Sequence, residues 1–132
     1  MKTIMLLGLA PLALAAAWNE ARSVQAGVYT AEQAERGAKA FEGTCVACHE
    51  PAEFSEGGYM EGWEGQKLGD LIELIRSTMP QDSPGSLSRM EYVDVAAYLL
   101  QLNGVPAGES EMDTSSVNEI VIEGPFKAQS DN

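Results

Sequence analysis

The chain has 132 residues, 45% of them hydrophobic, and carries 20 acidic against 8 basic side chains, a formal net charge of −12. That length points to one domain, and that charge excludes nucleic acid and anionic membrane surfaces as partners, since both repel it. It favours docking against a surface that is basic, or neutral at its centre.

The chain opens with Met1-Lys2, continues through the apolar run Thr3 to Leu14 and reaches Ala15-Ala16-Ala17. A positive start, a moderate apolar stretch and small residues before a polar break describe a secretory signal peptide over residues 1–17. The run is shorter than the ~20 apolar residues a spanning helix needs, so it reads as a cleaved leader rather than an anchor. Ala17 is the preferred cut site, with Ala26 as the alternative. Cleavage at Ala17 removes one charge, Lys2, taking −12 to −13. No other segment is apolar enough to cross a bilayer. The mature chain is therefore expected to be periplasmic or otherwise extracytoplasmic, with no stable membrane span. Residues 18–27 read as a flexible lead-in.

Thr30 begins the first helix and forms a capping box with Gln33 three residues on. Ala34, Ala38 and Phe41 recur at helical spacing, giving one apolar face. Gly37 on the edge of that face costs helix stability, which implies close approach by another helix. The helix runs directly into Cys45-Val46-Ala47-Cys48-His49. This is the C-x-x-C-H pattern of c-type haem attachment. A short helical turn brings both sulfurs to one porphyrin edge, where each thiol adds to a vinyl group. The same turn carries His49 beneath the plane, within reach of iron. A disulfide between the two cysteines would close too short a loop to stabilise much. A zinc site usually needs four ligands, and Cys45, Cys48 and the chain's one histidine supply three. A thioredoxin-type pair wants a βαβ setting, whereas these flanks read helical.

From Glu50 to Gln66 the chain is loop-like, with Pro51, Gly57-Gly58, Gly62 and Gly65. Trp63 within it could pack on the haem and donate its indole N–H to a propionate; ordinary core packing is the plainer reading, and the two are compatible. A second helix is expected from about Lys67 to Thr78, with Leu68, Leu71, Ile72 and Ile75 as its stripe. Met79-Pro80 ends it. With one histidine in the chain, iron here is ligated His/Met, His/Lys or left open on one side. Met79 is the natural sixth ligand. Met60 sits in the Gly-rich loop, Met90 reads as core filler in the last helix, and Met112 lies in the tail.

A turn-rich loop from Gln81 to Leu87 follows, and Ser88 with Glu91 makes a second capping box. The helix it opens reaches about Leu102, with Tyr92, Val95, Ala96, Leu99 and Leu102 on one face and Tyr98 at its border. Asn103-Gly104 is the expected stop. Beyond Pro106 the chain turns polar and acidic. Val117, Ile120, Val121 and Ile122 suggest a short strand or packed extension, and Ala128 to Asn132 read as disordered.

This order of parts resembles class I cytochromes c: helix, attachment motif, loop, helix ending in Met-Pro, and a final helix with aromatic and aliphatic contacts. Gly37 and Phe41 match that family's first helix, and Val95 and Tyr98 its last. The Trp63 to Gly104 stretch is similar to a bacterial monohaem subgroup that occurs alone or fused to quinoprotein (PQQ) dehydrogenases. The resemblance, over roughly Val28 to Gly124, implies an all-α class I fold around one covalent haem c. Residues 28–107 would be the cytochrome domain and residues 108–132 an acidic C-terminal extension. Many relatives have glycine after the haem histidine and a proline-containing loop whose carbonyl accepts the imidazole N–H. Here Glu50-Pro51 follows, so the acceptor for His49 is left unassigned.

The function implied is electron carriage rather than catalysis. Single electrons would pass between a dehydrogenase, possibly a quinoprotein, and an oxidase or another cytochrome. Two alternatives stand beside it: a dedicated electron-transfer subunit of a dehydrogenase complex, and a haem enzyme or gas sensor in which Met79 dissociates.

Overall fold

Thr30 fixes where the first long helix begins. The computed structural model describes residues 21–56 and 58–127; the leader over residues 1–17, its cut after Ala17 and the tail 128–132 lie outside the described residues. Thr30 is extended (φ −98°, ψ 159°), and its hydroxyl accepts the Gln33 N–H at 3.1 Å, opening α1 (Ala31–Thr44). This satisfies one of the amides a helix start leaves without a partner. Gln33 does not complete the capping box. Its side chain is fully buried, and its carboxamide donates to the Met112 carbonyl at 2.9 Å and to Asp94 at 3.1 Å. It also accepts the Met112 N–H at 2.9 Å. A buried amide must find partners, and here they lie on the last helix and near the C-terminus.

Three further helices follow: α2 (Ala52–Ser55), α3 (Leu68–Thr78) and α4 (Arg89–Leu102). The capping box of α4 forms as expected, with Ser88 accepting from the Glu91 N–H at 3.2 Å and Glu91 accepting from the Ser88 N–H at 2.8 Å. The only sheet among the described residues is a two-strand parallel ladder, β1 (Arg22–Ser23) on β2 (Ile120–Val121). The class is all-α, as the sequence implied.

The segment from Glu50 to Gln66 is more ordered than a loop. It holds α2 and a 3₁₀ turn over Glu61–Trp63. Pro51 sits at the cap of α2 with φ −54°, a value its ring favours and a helix start requires.

Helix α1 crosses α4 at Gly37. A Cβ there would run into the Asp94 carbonyl and stand 3.0 Å from Tyr98 Cβ. Only glycine permits this approach. Helix α4 is covered on more than the single face expected. Val93, Ala96, Ala97 and Leu100 belong to the main core, which also takes Val24, Ala34, Leu68 and Leu71. Val95 and Leu99 join Phe41 in a second cluster. A helix apolar around most of its circumference has to be buried.

The segments 22–27 and 108–127 both pack into the core. Residues 22–27 are not a flexible lead-in, because Val24 is fully buried and β1 pairs with β2. The segment from 108 to 127 is acidic in composition yet contributes Met112, Val117, Ile120 and Ile122 to the same core. Gly108 donates to the Tyr29 carbonyl, and Tyr29 donates its hydroxyl to the Val105 carbonyl, each at 2.6 Å. Arg36 forks to Asp94 (3.1 and 3.2 Å) and Glu111 (2.8 Å twice), adding a polar clamp at the edge. Met90 is 37% exposed, so it is not core filler.

Two outcomes follow from this packing. Gly37→Ala should destabilise the protein by about 1–3 kcal/mol in denaturant unfolding, the usual cost of overpacking a tight contact. The hydrogen bonds from Arg36 hold the Glu111 carboxyl below the usual carboxylate range. A carboxyl depressed on folding adds stability above its unfolded pKa and loses it as pH falls through the folded one. Acidification below about pH 4, the ordinary carboxylate value, should therefore loosen the extension, and Glu111→Gln should flatten that limb of the stability–pH curve.

Candidate functional site

The end of α1 does not stop at Thr44 but tightens. Cys45 N–H bonds the Phe41 carbonyl at 2.7 Å, Cys48 N–H bonds the Cys45 carbonyl at 3.1 Å, and His49 N–H bonds the same carbonyl at 2.9 Å. These bonds form the short helical turn that the attachment motif needs. It sets both thiols and the imidazole along one wall of a cavity of about 930 Å³, within the roughly 300–1,000 Å³ of small-molecule and cofactor sites.

Cys45 is half-buried, Cys48 is exposed, and no disulfide joins them. Burial pushes the Cys45 thiol up. Among the described residues, no three His, Cys, Asp or Glu side chains are grouped so as to hold a metal ion.

Met79 lines the same cavity, where α3 ends. Its N–H bonds the Ile75 carbonyl at 2.8 Å, and its carbonyl accepts the Tyr92 hydroxyl at 2.8 Å. Tyr92 reaches across from the first turn of α4, so two helices fix the methionine backbone. Of the described methionines, Met79 alone lines the cavity. Met60 and Met112 are buried in the main core.

The remaining walls are mainly apolar: Phe41, Ile75, Leu87, Val95 and Leu99. Two thiols on one rim, one imidazole beside them, one thioether at the end of another helix and apolar walls between are a donor set that fits haem. Cys45 and Cys48 would hold its edge covalently, and His49 and Met79 would face its iron.

Trp63 is placed elsewhere. It is half-buried and packs against the main core, not among the cavity-lining side chains.

The imidazole has a partner that sequence reasoning left unassigned. His49 Nδ1 lies 3.0 Å from Glu53 Oε2. A carboxylate can only accept, so Nδ1 is the donor in this bond, which leaves Nε2 as the nitrogen that could face iron. The other carboxylate oxygen accepts the Glu50 N–H at 3.0 Å. These two hydrogen bonds, that from His49 first, hold the Glu53 carboxyl below the usual range. The i,i+4 spacing of His49 and Glu53 was the signal available in the sequence. The pair was obscured because Pro51 between them reads as a helix breaker.

A helical fold around a cavity with this donor set defines a c-type cytochrome. The family model described as Cytochrome C oxidase, cbb3-type, subunit III matches residues 32–99, from the first turn of α1 into the last turns of α4. The chain belongs to that family: it is a class I c-type cytochrome, an electron-transfer haem protein whose haem c is covalently bound. No curated protein and no solved structure matches the chain.

Tyr92→Phe removes the hydroxyl that braces Met79. It should cost about 1 kcal/mol in denaturant unfolding of the holoprotein, the usual net worth of one such hydrogen bond.

Proposed function

We propose that this chain is a monohaem electron carrier outside the cytoplasm, with His49 and Met79 as the axial ligands of its one haem iron. The observation that carries this reading is the meeting of His49 and Met79, from two different helix ends, on one mainly apolar cavity beside Cys45 and Cys48. When bound, the haem supplies the one-electron chemistry. The chain supplies orientation, low dielectric and two fixed ligands, so that oxidation needs little rearrangement. Methionine sulfur favours Fe(II) and raises the potential relative to a second nitrogen ligand.

Export through a leader cleaved after Ala17 belongs to the same reading. Cleavage after Ala26 would remove Val24, which is fully buried, together with β1; this supports the earlier cut. Among the described residues, no helix is long and apolar enough to cross a membrane. The cavity wall holds no arginine or lysine among the described residues.

Partners are a dehydrogenase on the donor side, possibly a quinoprotein, and an oxidase or another cytochrome on the acceptor side. The family description names an oxidase subunit, which favours an oxidase as acceptor. Val46 inside the attachment loop and Leu74 at the cavity wall are about half exposed, 48% and 49%. They offer an apolar centre for docking on an otherwise acidic protein.

Met79→Ala should abolish the sulfur-to-iron absorption band at the red end of the ferric spectrum. It should also let the ferrous protein bind carbon monoxide at neutral pH, which the native protein resists. Persistence of the band would remove Met79 from the ligand set; rapid binding by the native protein would favour the sensor reading.

A further inference from the structure

The carboxylate on His49 is held by two hydrogen bonds. Glu53 Oε2 meets the imidazole Nδ1 at 3.0 Å while Oε1 takes the Glu50 N–H at 3.0 Å, so the group cannot rotate without losing both bonds. The helix that carries it is anchored in turn. Asn103, 2% exposed at the end of α4, donates to the Phe54 carbonyl at 2.7 Å and to the Leu99 carbonyl at 2.8 Å. The Phe54 ring packs edge-on against Phe41, Tyr59 and His49, with centroids 5.6, 5.0 and 5.4 Å apart. Glu53 therefore sits on a short helix tied to the end of α4, and its half-exposed carboxylate is held by two hydrogen bonds.

We propose that Glu53 is a positioning residue for the haem ligand: it fixes the His49 ring and increases its electron donation to iron, lowering the reduction potential below that of the same site with a neutral acceptor. The inference rests on His49 being an axial ligand. A hydrogen bond from a ligating imidazole to an anion raises the ligand's basicity and fixes its tautomer. A more basic ligand stabilises Fe(III) over Fe(II), and hydrogen bonding around the ligands is one of the levers that set haem potentials. The carboxylate thus acts against the methionine, which pulls the potential up. Partial exposure, 31% for His49 and 51% for Glu53, lets water screen the interaction, so its effect is smaller than that of a buried pair.

The test compares Glu53→Gln and Glu50→Gln in holoprotein. Each removes one negative charge close to the iron ligand, but only Glu53 touches the imidazole. Potentials would be read by spectroelectrochemical titration at fixed pH and ionic strength. Glu53→Gln should have the more positive potential, with Glu50→Gln close to the native value. Equal shifts would overturn the proposal by reducing it to net charge, and an unchanged potential in Glu53→Gln would overturn it outright.

The native protein gives a second readout that needs no variant. In the ferrous, diamagnetic state the Nδ1 proton of His49 should give an observable resonance that exchanges slowly with water. A rapidly exchanging proton would contradict the carboxylate bond. If the native spectrum showed no low-spin histidine-ligated haem, His49 ligation itself would fail. That outcome is distinct from either potential result.

Discussion

Helices α1 and α4 approach so closely at Gly37 that no methyl group fits between that residue and the Asp94 carbonyl. Because the backbones nearly touch, Asp94, only 7% exposed, is caught between Gln33 and Arg36. A buried carboxylate needs such partners. Those same two side chains reach on to Met112 and Glu111, which draws the acidic C-terminal segment against the crossing. One turn further along α1 Phe41, and just past its end Cys45, pack against Val95 and Leu99, and that contact forms one wall of the cavity. The fold and the haem site therefore share one constraint.

Helix α4 carries the consequence through the molecule. One side closes the main core, and another presents Tyr92, Val95 and Leu99 to the cavity. At its start Tyr92 holds the Met79 backbone; at its end Asn103 holds α2, and with it Glu53. Both residues read as axial ligands are thus braced from the same helix, at opposite ends. A site built this way changes little when an electron arrives or leaves, which is what a carrier requires of its protein.

Much of this was legible in the chain. The attachment motif, the Met-Pro end of α3 and the Ser88 cap each depend on local chemistry, and local chemistry is what a sequence displays. Gly37 was legible because a glycine on the edge of an apolar helix face signals a close neighbour. Other parts depend on partners far along the chain. Nothing local shows that Gln33 would leave its cap to bind Met112. Glu53 lies one helical turn beyond His49, but the intervening proline and the glycines that follow mask the turn. The apolar residues after 108 are diluted by acidic ones and follow no regular period, so their burial emerges only when β1 and β2 pair. Trp63 packs against the main core, which is one of the two compatible roles that its sequence setting suggested.

The central claim is one haem held covalently by Cys45 and Cys48, and it is tested most directly by intact mass. Protein exported from a host that matures c-type cytochromes would be denatured in acidified organic solvent and weighed. Addition of each S–H across a vinyl group loses no atoms, so the expected mass is that of the mature polypeptide plus one whole haem. The bare polypeptide mass, with haem released into the solvent, would contradict it.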